Sequence, residues 1–423
     1  MYFSAKQIDN VCEYIRNHWD ESVHDDRKTP PPENIIPLPV PHTVPCLHGF
    51  FRLFFYWDTY FTNAGLLAQG RLDLALGNCE AMAWLIDRNG FVPNSTFRSD
   101  HNRSQPPYFS LMVREAYEIS GDRDWLVRMA SMVKKEYQFW MTARFSPLGL
   151  NRHGEHAERV FLLRFYNGLL HDRLGLSLDI ADSGKIELSR RYLAEAETGW
   201  DFNPRFEQRC PDFCPVDLNT NLWRYEKDLA FYARETGSGD AGYYEDAAAR
   251  RQELMRRYMW DESRGLFMDY DYVNMKTGTT ASLASFHPLW LGLANNREAG
   301  MTAAGLPLFE HAHGLAVCEK IESPVYYQWG YPNGWPPLTM TVVQSLMHYG
   351  RTDDARRIAG KYITWATRYF ESTGQLWEKF DAVTGTLAGG EYEAQPMMGW
   401  SAGVFVKMAE IWQSGNNREM SVK

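Results

Sequence analysis

The chain has 423 residues, 44% of them hydrophobic, which is ample for a sizeable core. Its net charge of -9, without any long basic run, argues against nucleic acid as a partner. No apolar run approaches the roughly 18 residues that a membrane span needs, so no membrane association is expected.

In chain order, residues 4–19 predict a first amphipathic helix, with Ile8, Val11, Cys12, Ile15 and Trp19 on one face. Residues 22–45 carry seven prolines between Pro30 and Pro45, too many for a helix, and read as an irregular arm over the core. Helical spacing then dominates: Leu72, Leu76, Cys79, Ala83 and Ile86; Trp125, Met129, Met132, Val133 and Trp140; Ile358, Ala359, Tyr362, Ile363 and Ala366; Val404, Phe405, Met408, Ile411 and Trp412. Gln105-Pro-Pro107 and Thr352-Asp-Asp mark helix starts. Leu266–Tyr272 is the best strand candidate. The count comes to about a dozen helices at ordinary helix-plus-loop lengths, with no linker and no fixed repeat. That predicts a single all-α unit over residues 1–423, a closed helical array and not an open solenoid.

Six scattered cysteines do not form a disulfide framework. Met1–Asn10 has neither a basic n-region nor an apolar h-region, which predicts a cytoplasmic protein. His311-x-His313 has metal-like spacing but no supporting carboxylates, so no metal and no cofactor are expected. Homo-oligomerisation is left open.

Aromatic residues make up 14% of the chain, and many sit beside polar groups between the helical stretches. Such segments suit a pocket that stacks the apolar faces of sugars. The most pointed is Thr198-Gly-Trp-Asp-Phe-Asn-Pro-Arg205, which sets Asp201 between two large aromatics. A poorly hydrated carboxyl group resists ionisation, as a glycosidase proton donor must. The plainer reading of Asp201 is a cap or turn residue. For Asp58 it is a cap to a helix starting at Thr59.

These segments resemble those of trehalases, glycoside hydrolase family 37, with relatives in family 63. Gln328-Trp-Gly-Tyr-Pro-Asn-Gly-Trp-Pro-Pro337 is close to one family signature, and Phe55–Tyr60 to the end of another. Thr198–Phe202, Val216–Asn219, Ser285–Trp290, Glu378–Asp381 and Gly389–Tyr392 follow in the family's order. The resemblance implies an (α/α)6 barrel and an inverting, metal-independent α-glycosidase acting on a small carbohydrate. Trehalose is the first candidate; glucosylglycerate or mannosylglycerate is the family-63 alternative. It places the general acid at Asp201 and the general base at Glu378. Sugar hydroxyls fall to Asn94 and Arg103, and pocket lining to Trp57, Asp58, Gln328, Trp329 and Glu391. Of Trp200, Trp329, Trp335 and Trp400, all able to be core, about half are expected to line the pocket as aromatic platforms, and Trp200, Trp329 and Trp400 are taken as the candidates. The chain also departs from the pattern. Phe50-Phe-Arg-Leu53 replaces an Arg-Phe-x-Glu, Gly330 replaces an Asp, and Asp172-Arg173 and Ser189-Arg190-Arg191 occupy the region where a Pro-Arg-Pro-Glu segment is expected. A sugar epimerase would need a pair of proton-transferring groups, usually histidines, and no such pair is visible; a non-catalytic binding protein would lack one carboxylate, and both are present.

Overall fold

The computed structural model describes residues 3–49 and 51–420. Helix α1 (Ala5–His18) opens with a capping box between Ser4 and Gln7 and buries Ile8, Val11 and Ile15. There follow α2 (Tyr56–Ala68), α3 (Leu72–Asn89), α4 (Phe109–Ser120) and α5 (Arg123–Ala143). A short cluster comes next: α6 (Arg159–Phe165), one π turn, α7 (His171–Leu174) and α8 (Asp182–Ala196). The chain continues through α9 (Val216–Thr236), α10 (Ala241–Met259), α11 (His287–Trp290) and α12 (Asn296–Ala304). It ends with α13 (Pro336–His348), α14 (Thr352–Thr373) and α15 (Gly399–Met420).

The helices form an (α/α)6 barrel. The helices α2, α4, α9, α11, α13 and α15 each pack on the next, and α15 returns to α2 to close an inner ring. Burial is deepest here: every residue of α2 from Tyr56 to Leu66 and of α13 from Pro336 to Val343 is buried. A helix buried on all sides belongs inside. The amphipathic α1, α3, α5, α10, α12 and α14 form the outer layer. The closing contact between α2 and α15 depends on Gly65 and Gly403, whose backbones touch; a Cβ on either would collide with the other helix.

The predicted strand resolves into two-residue pieces, Leu266–Phe267 and Tyr270–Asp271, each paired antiparallel to a different partner. Residues 22–45 form an ordered strap. Val23–His24 pairs with His42–Thr43, the Ile36 amide donates to the Thr96 carbonyl (2.8 Å), and the Gly399 amide donates to the Pro45 carbonyl (2.7 Å). The strap thus ties the loop carrying Asn94 to the start of α15. All six cysteines are free thiols. No described helix is long and apolar enough to cross a membrane.

Candidate active site

The loops that lead into the inner helices gather at one end of the ring. There they enclose a cavity of about 190 Å³. Asp58 sits in the first turn of α2, Trp335 and Trp400 at the starts of α13 and α15, and Gln105 just before α4. The positive ends of these helices therefore face a cavity lined with carboxylates.

Asp201 reaches the cavity from the α8–α9 connection. Gly199 turns the chain at φ +73°, where a Cβ would press into the Trp57 ring at 2.8 Å. Phe202 also adopts a left-handed conformation (φ 60°). The surroundings impose it: Asn203 donates from its amide to Glu195 Oε1 (2.9 Å) and from its side chain to the Trp200 carbonyl (2.6 Å). The Trp329 amide donates to the Phe202 carbonyl (3.2 Å), so the two sequence motifs are bonded to each other. Below them Arg205 is fully buried between Asp217 and Asp269, with four bonds of 2.8–2.9 Å. Its guanidinium lies 4.3 Å over Trp200. Burial raises the Asp201 pKa; the positive charges of Arg103 and Arg173 partly oppose the rise.

Glu378 enters from the α14–α15 connection and is 1% exposed. It accepts a bond from the Tyr392 hydroxyl (2.7 Å), and burial pushes its pKa up to about 7, against the lowering effects of Lys379 and Tyr392. Lys379 turns away, to the Gln328 side chain (3.3 Å) and the Tyr392 carbonyl (2.9 Å). Asp58 is pushed up to about 8, by burial first and then by the charges of Glu378 and Asp201.

Nine of the eleven expected site residues line this cavity: Trp57, Asp58, Asn94, Asp201, Gln328, Trp329, Glu378, Glu391 and Trp400. Two do not. Arg103 turns its guanidinium to Asn102 (2.9 Å) and Asp100 (3.4 Å), and acts on Asp201 through its charge. Trp200 is a buried support, 1% exposed, stacked on Trp329 (5.8 Å) with Arg205 on its ring. Asp58 is not a helix cap, because α2 begins at Tyr56.

Sequence reasoning missed Gln105, Trp335, Tyr392, Phe51, Phe55 and Arg173 as lining residues. Gln105 and Tyr392 are next to residues that the motifs flagged; Trp335 stacks on Trp329 at 3.7 Å. Arg173 is marked in the sequence only as part of a departure from the family's pattern, with no role attached. It ion-pairs with Glu391, lies 5.6 Å over Phe202, and is the only cationic lining residue among the described residues. Gly330 fills the family's Asp position because a Cβ there would meet Tyr327 Cβ at 2.8 Å. Phe50 of the altered first signature is outside the described residues.

The family model for trehalase matches residues 2–164 and 175–412. The chain belongs to the trehalase family. It is a glycoside hydrolase, and Arg173 lies in the ten-residue gap between the two matched stretches. Similar curated relatives include the periplasmic trehalase of Xanthomonas axonopodis pv. citri (29% identity; 99% of this chain, 76% of the relative). The periplasmic trehalase of Escherichia coli O8 is 30% identical over 95% of this chain and 74% of its own. Among solved structures, the neutral trehalase of Saccharomyces cerevisiae superposes with a TM-score of 0.76 at 26% identity, covering 97% of this chain and 82% of that one. A family-63 mannosylglycerate hydrolase from Thermus thermophilus shares the fold, with a TM-score of 0.61 at 18% identity over 88% of this chain and 96% of that one. The expectation of a cytoplasmic protein is overturned: the curated relatives are periplasmic trehalases. That expectation rested on the first ten residues, which do not set the compartment.

Proposed function

We propose that this trehalase-family enzyme hydrolyses trehalose with inversion, as one catalytic unit, with Asp201 as general acid and Glu378 as general base. The observation that carries the reading is the placement of these two carboxylates. They line one cavity but come from the connections into α9 and α15, the third and sixth helices of the six-membered ring. Opposite walls leave room for sugar and water between acid and base, as inversion requires. Burial keeps a proton on Asp201 for the glycosidic oxygen. Glu378 takes a proton from water as that water attacks the anomeric carbon. The C–O bond to the leaving glucose breaks, the proton gained by Glu378 passes to solvent, and the proton lost by Asp201 is replaced from solvent.

The cavity is smaller than the roughly 300–1,000 Å³ usual for ligand pockets, which supports one tightly held pyranose ring. Trp57, Trp329 and Trp400 supply apolar walls, while Asn94, Gln105 and Gln328 supply amides for hydroxyl groups. The one cationic lining residue among the described residues, Arg173, is already paired to Glu391, and Glu378 is the lining acid that ionises for catalysis. That charge balance favours a neutral substrate over a glycerate ester or glycoside bearing its own carboxylate.

NMR of the first turnovers on trehalose tests the reading. Inversion at one ring yields β-glucose from the attacked unit and α-glucose from the leaving unit, initially in equal amounts. Formation of α-glucose alone would refute inversion. Hydrolysis of glucosylglycerate or mannosylglycerate in preference to trehalose would refute the substrate.

A further inference from the structure

A second cavity lies on the outer wall, between α1, α14 and the turn at residue 312. It encloses about 610 Å³ and is lined by Lys361, Thr364, Trp365 and Arg368 of α14, with His313, Ala312, Gln7 and Phe3. The four α14 residues fall at i, i+3, i+4 and i+7, one face of the helix. The charge here is opposite to that of the catalytic cavity. Three lining residues are basic or can become so and none of the described lining residues is acidic, in a chain of net charge -9.

The cations are unequally engaged. Lys361 is paired with Glu310 (2.7 Å) and also donates to the His311 carbonyl (2.5 Å). Arg368 donates to the Gly385 carbonyl and lies 5.2 Å over the Tyr369 ring, and no acidic side chain among the described residues pairs with it; the His313 ring packs beside Gly385. Trp365 is 2% exposed, yet its indole nitrogen has no hydrogen-bond partner among the described residues. Glu371, further along α14, is engaged by Gln7 (2.6 Å).

We propose that this cavity is a binding site for a phosphorylated sugar, distinct from the catalytic site. Arg368, with its planar fork, and His313 hold the phosphoryl oxygens. Thr364 bonds a hydroxyl group, and Phe3 and Ala312 cover the apolar face. The volume is far beyond that of a bare phosphate and within the range of pockets for small organic ligands. Arg368 also bonds the turn that follows Phe380, two residues after Glu378, and Trp365 packs on Phe380 at 4.8 Å. Occupancy of the site is therefore sensed at the segment that carries the proposed base.

Titration calorimetry on the whole chain tests this, with glucose 6-phosphate, inorganic phosphate and glucose as probes. Glucose 6-phosphate is expected to bind once per chain, at least about tenfold more tightly than either of the others. Arg368→Gln and, separately, His313→Ala should each weaken it by about tenfold, with an unchanged melting temperature. Asp201→Asn, in the catalytic cavity, should leave the affinity unaltered. Three results would each overturn the assignment: no saturable binding, equal binding of inorganic phosphate, or a loss of affinity in Asp201→Asn with none in the two outer-wall variants.

Discussion

The proposed acid and base are both raised by burial, but their tasks demand opposite protonation states at the same pH. Asp201 must hold its proton, and its burial helps it do so. Glu378 must lose its proton, and with a pKa of about 7 it does so only near neutrality. The Lys379 charge eases its ionisation most, and the Tyr392 hydroxyl adds to that, since a bond donated to a carboxylate favours the charged form. Tyr392→Phe should therefore move the acidic limb of the kcat/KM profile to higher pH; a limb that stays in place would separate Tyr392 from the base. Asp201→Asn and Glu378→Gln should each lower kcat by about 10²–10⁴-fold while near-UV circular dichroism is retained. Glu378 also predicts a stability effect. Its folded pKa lies above the unfolded value, so its contribution to stability is complete below about 4.5 and is lost as pH rises through about 7. Glu378→Gln lacks that loss. It should gain on the native protein by about 2–3 kcal/mol between pH 5 and pH 8, read from denaturant midpoints at the two pH values.

Among the elements, the short α6–α8 cluster and the 388–396 loop meet over the cavity through Arg173 and Glu391. Neither carries the bond-making groups, so their contribution belongs to binding. Arg173→Ala should raise KM by about tenfold with a smaller change in kcat, in steady-state kinetics on trehalose. An equal fall in kcat would instead assign Arg173 to the transition state. The sequence made Glu391 visible, because two glycines precede it and the motif is recognisable. It showed Arg173 only within a departure from the family's pattern and gave it no role, because α7 is one turn long and stands in the gap of the family match. Arg103 misled for a related reason: a motif fixes where a residue sits in the chain, while the bonds to Asn102 and Asp100 decide where its guanidinium points. Trp200 shows the same limit, since flanking the proposed acid says nothing about which face of the loop reaches water. The closing pair, α2 and α15, gives a sharper case. Gly→Ala inside a helix ordinarily stabilises it by about 0.5–1 kcal/mol. At Gly403 the added methyl would strike the Phe61 carbonyl, so Gly403→Ala should destabilise by roughly 1–3 kcal/mol in urea unfolding.

For the molecule as a whole, the helical periods were enough to predict an all-α unit, since Ile8, Val11 and Ile15, or Ile358, Ala359 and Ile363, bury as their spacing requires. Closure into a ring was not readable from those periods. It depends on contacts between α2 and α15, more than 330 residues apart, and only the family resemblance pointed to it. Closure has a measurable consequence. In an open helical array each unit touches only its neighbours, so loss of the last unit leaves the others folded. In this ring α15 packs on α2, α13 and α14 and contacts α1, and it also supplies Trp400 to the cavity. A chain ended after Met398 would expose the buried faces of α2 and α13 together, including Phe61, Val342 and Val343. Burial of such side chains contributes about 1.5–3 kcal/mol each, and a native state stabilised by only about 5–15 kcal/mol cannot lose many of them. The shortened chain should therefore show no cooperative thermal transition and no protease-resistant core. A truncated protein that melts in one sharp transition would mean that the array is stable without closure and that its helices are stabilised pairwise.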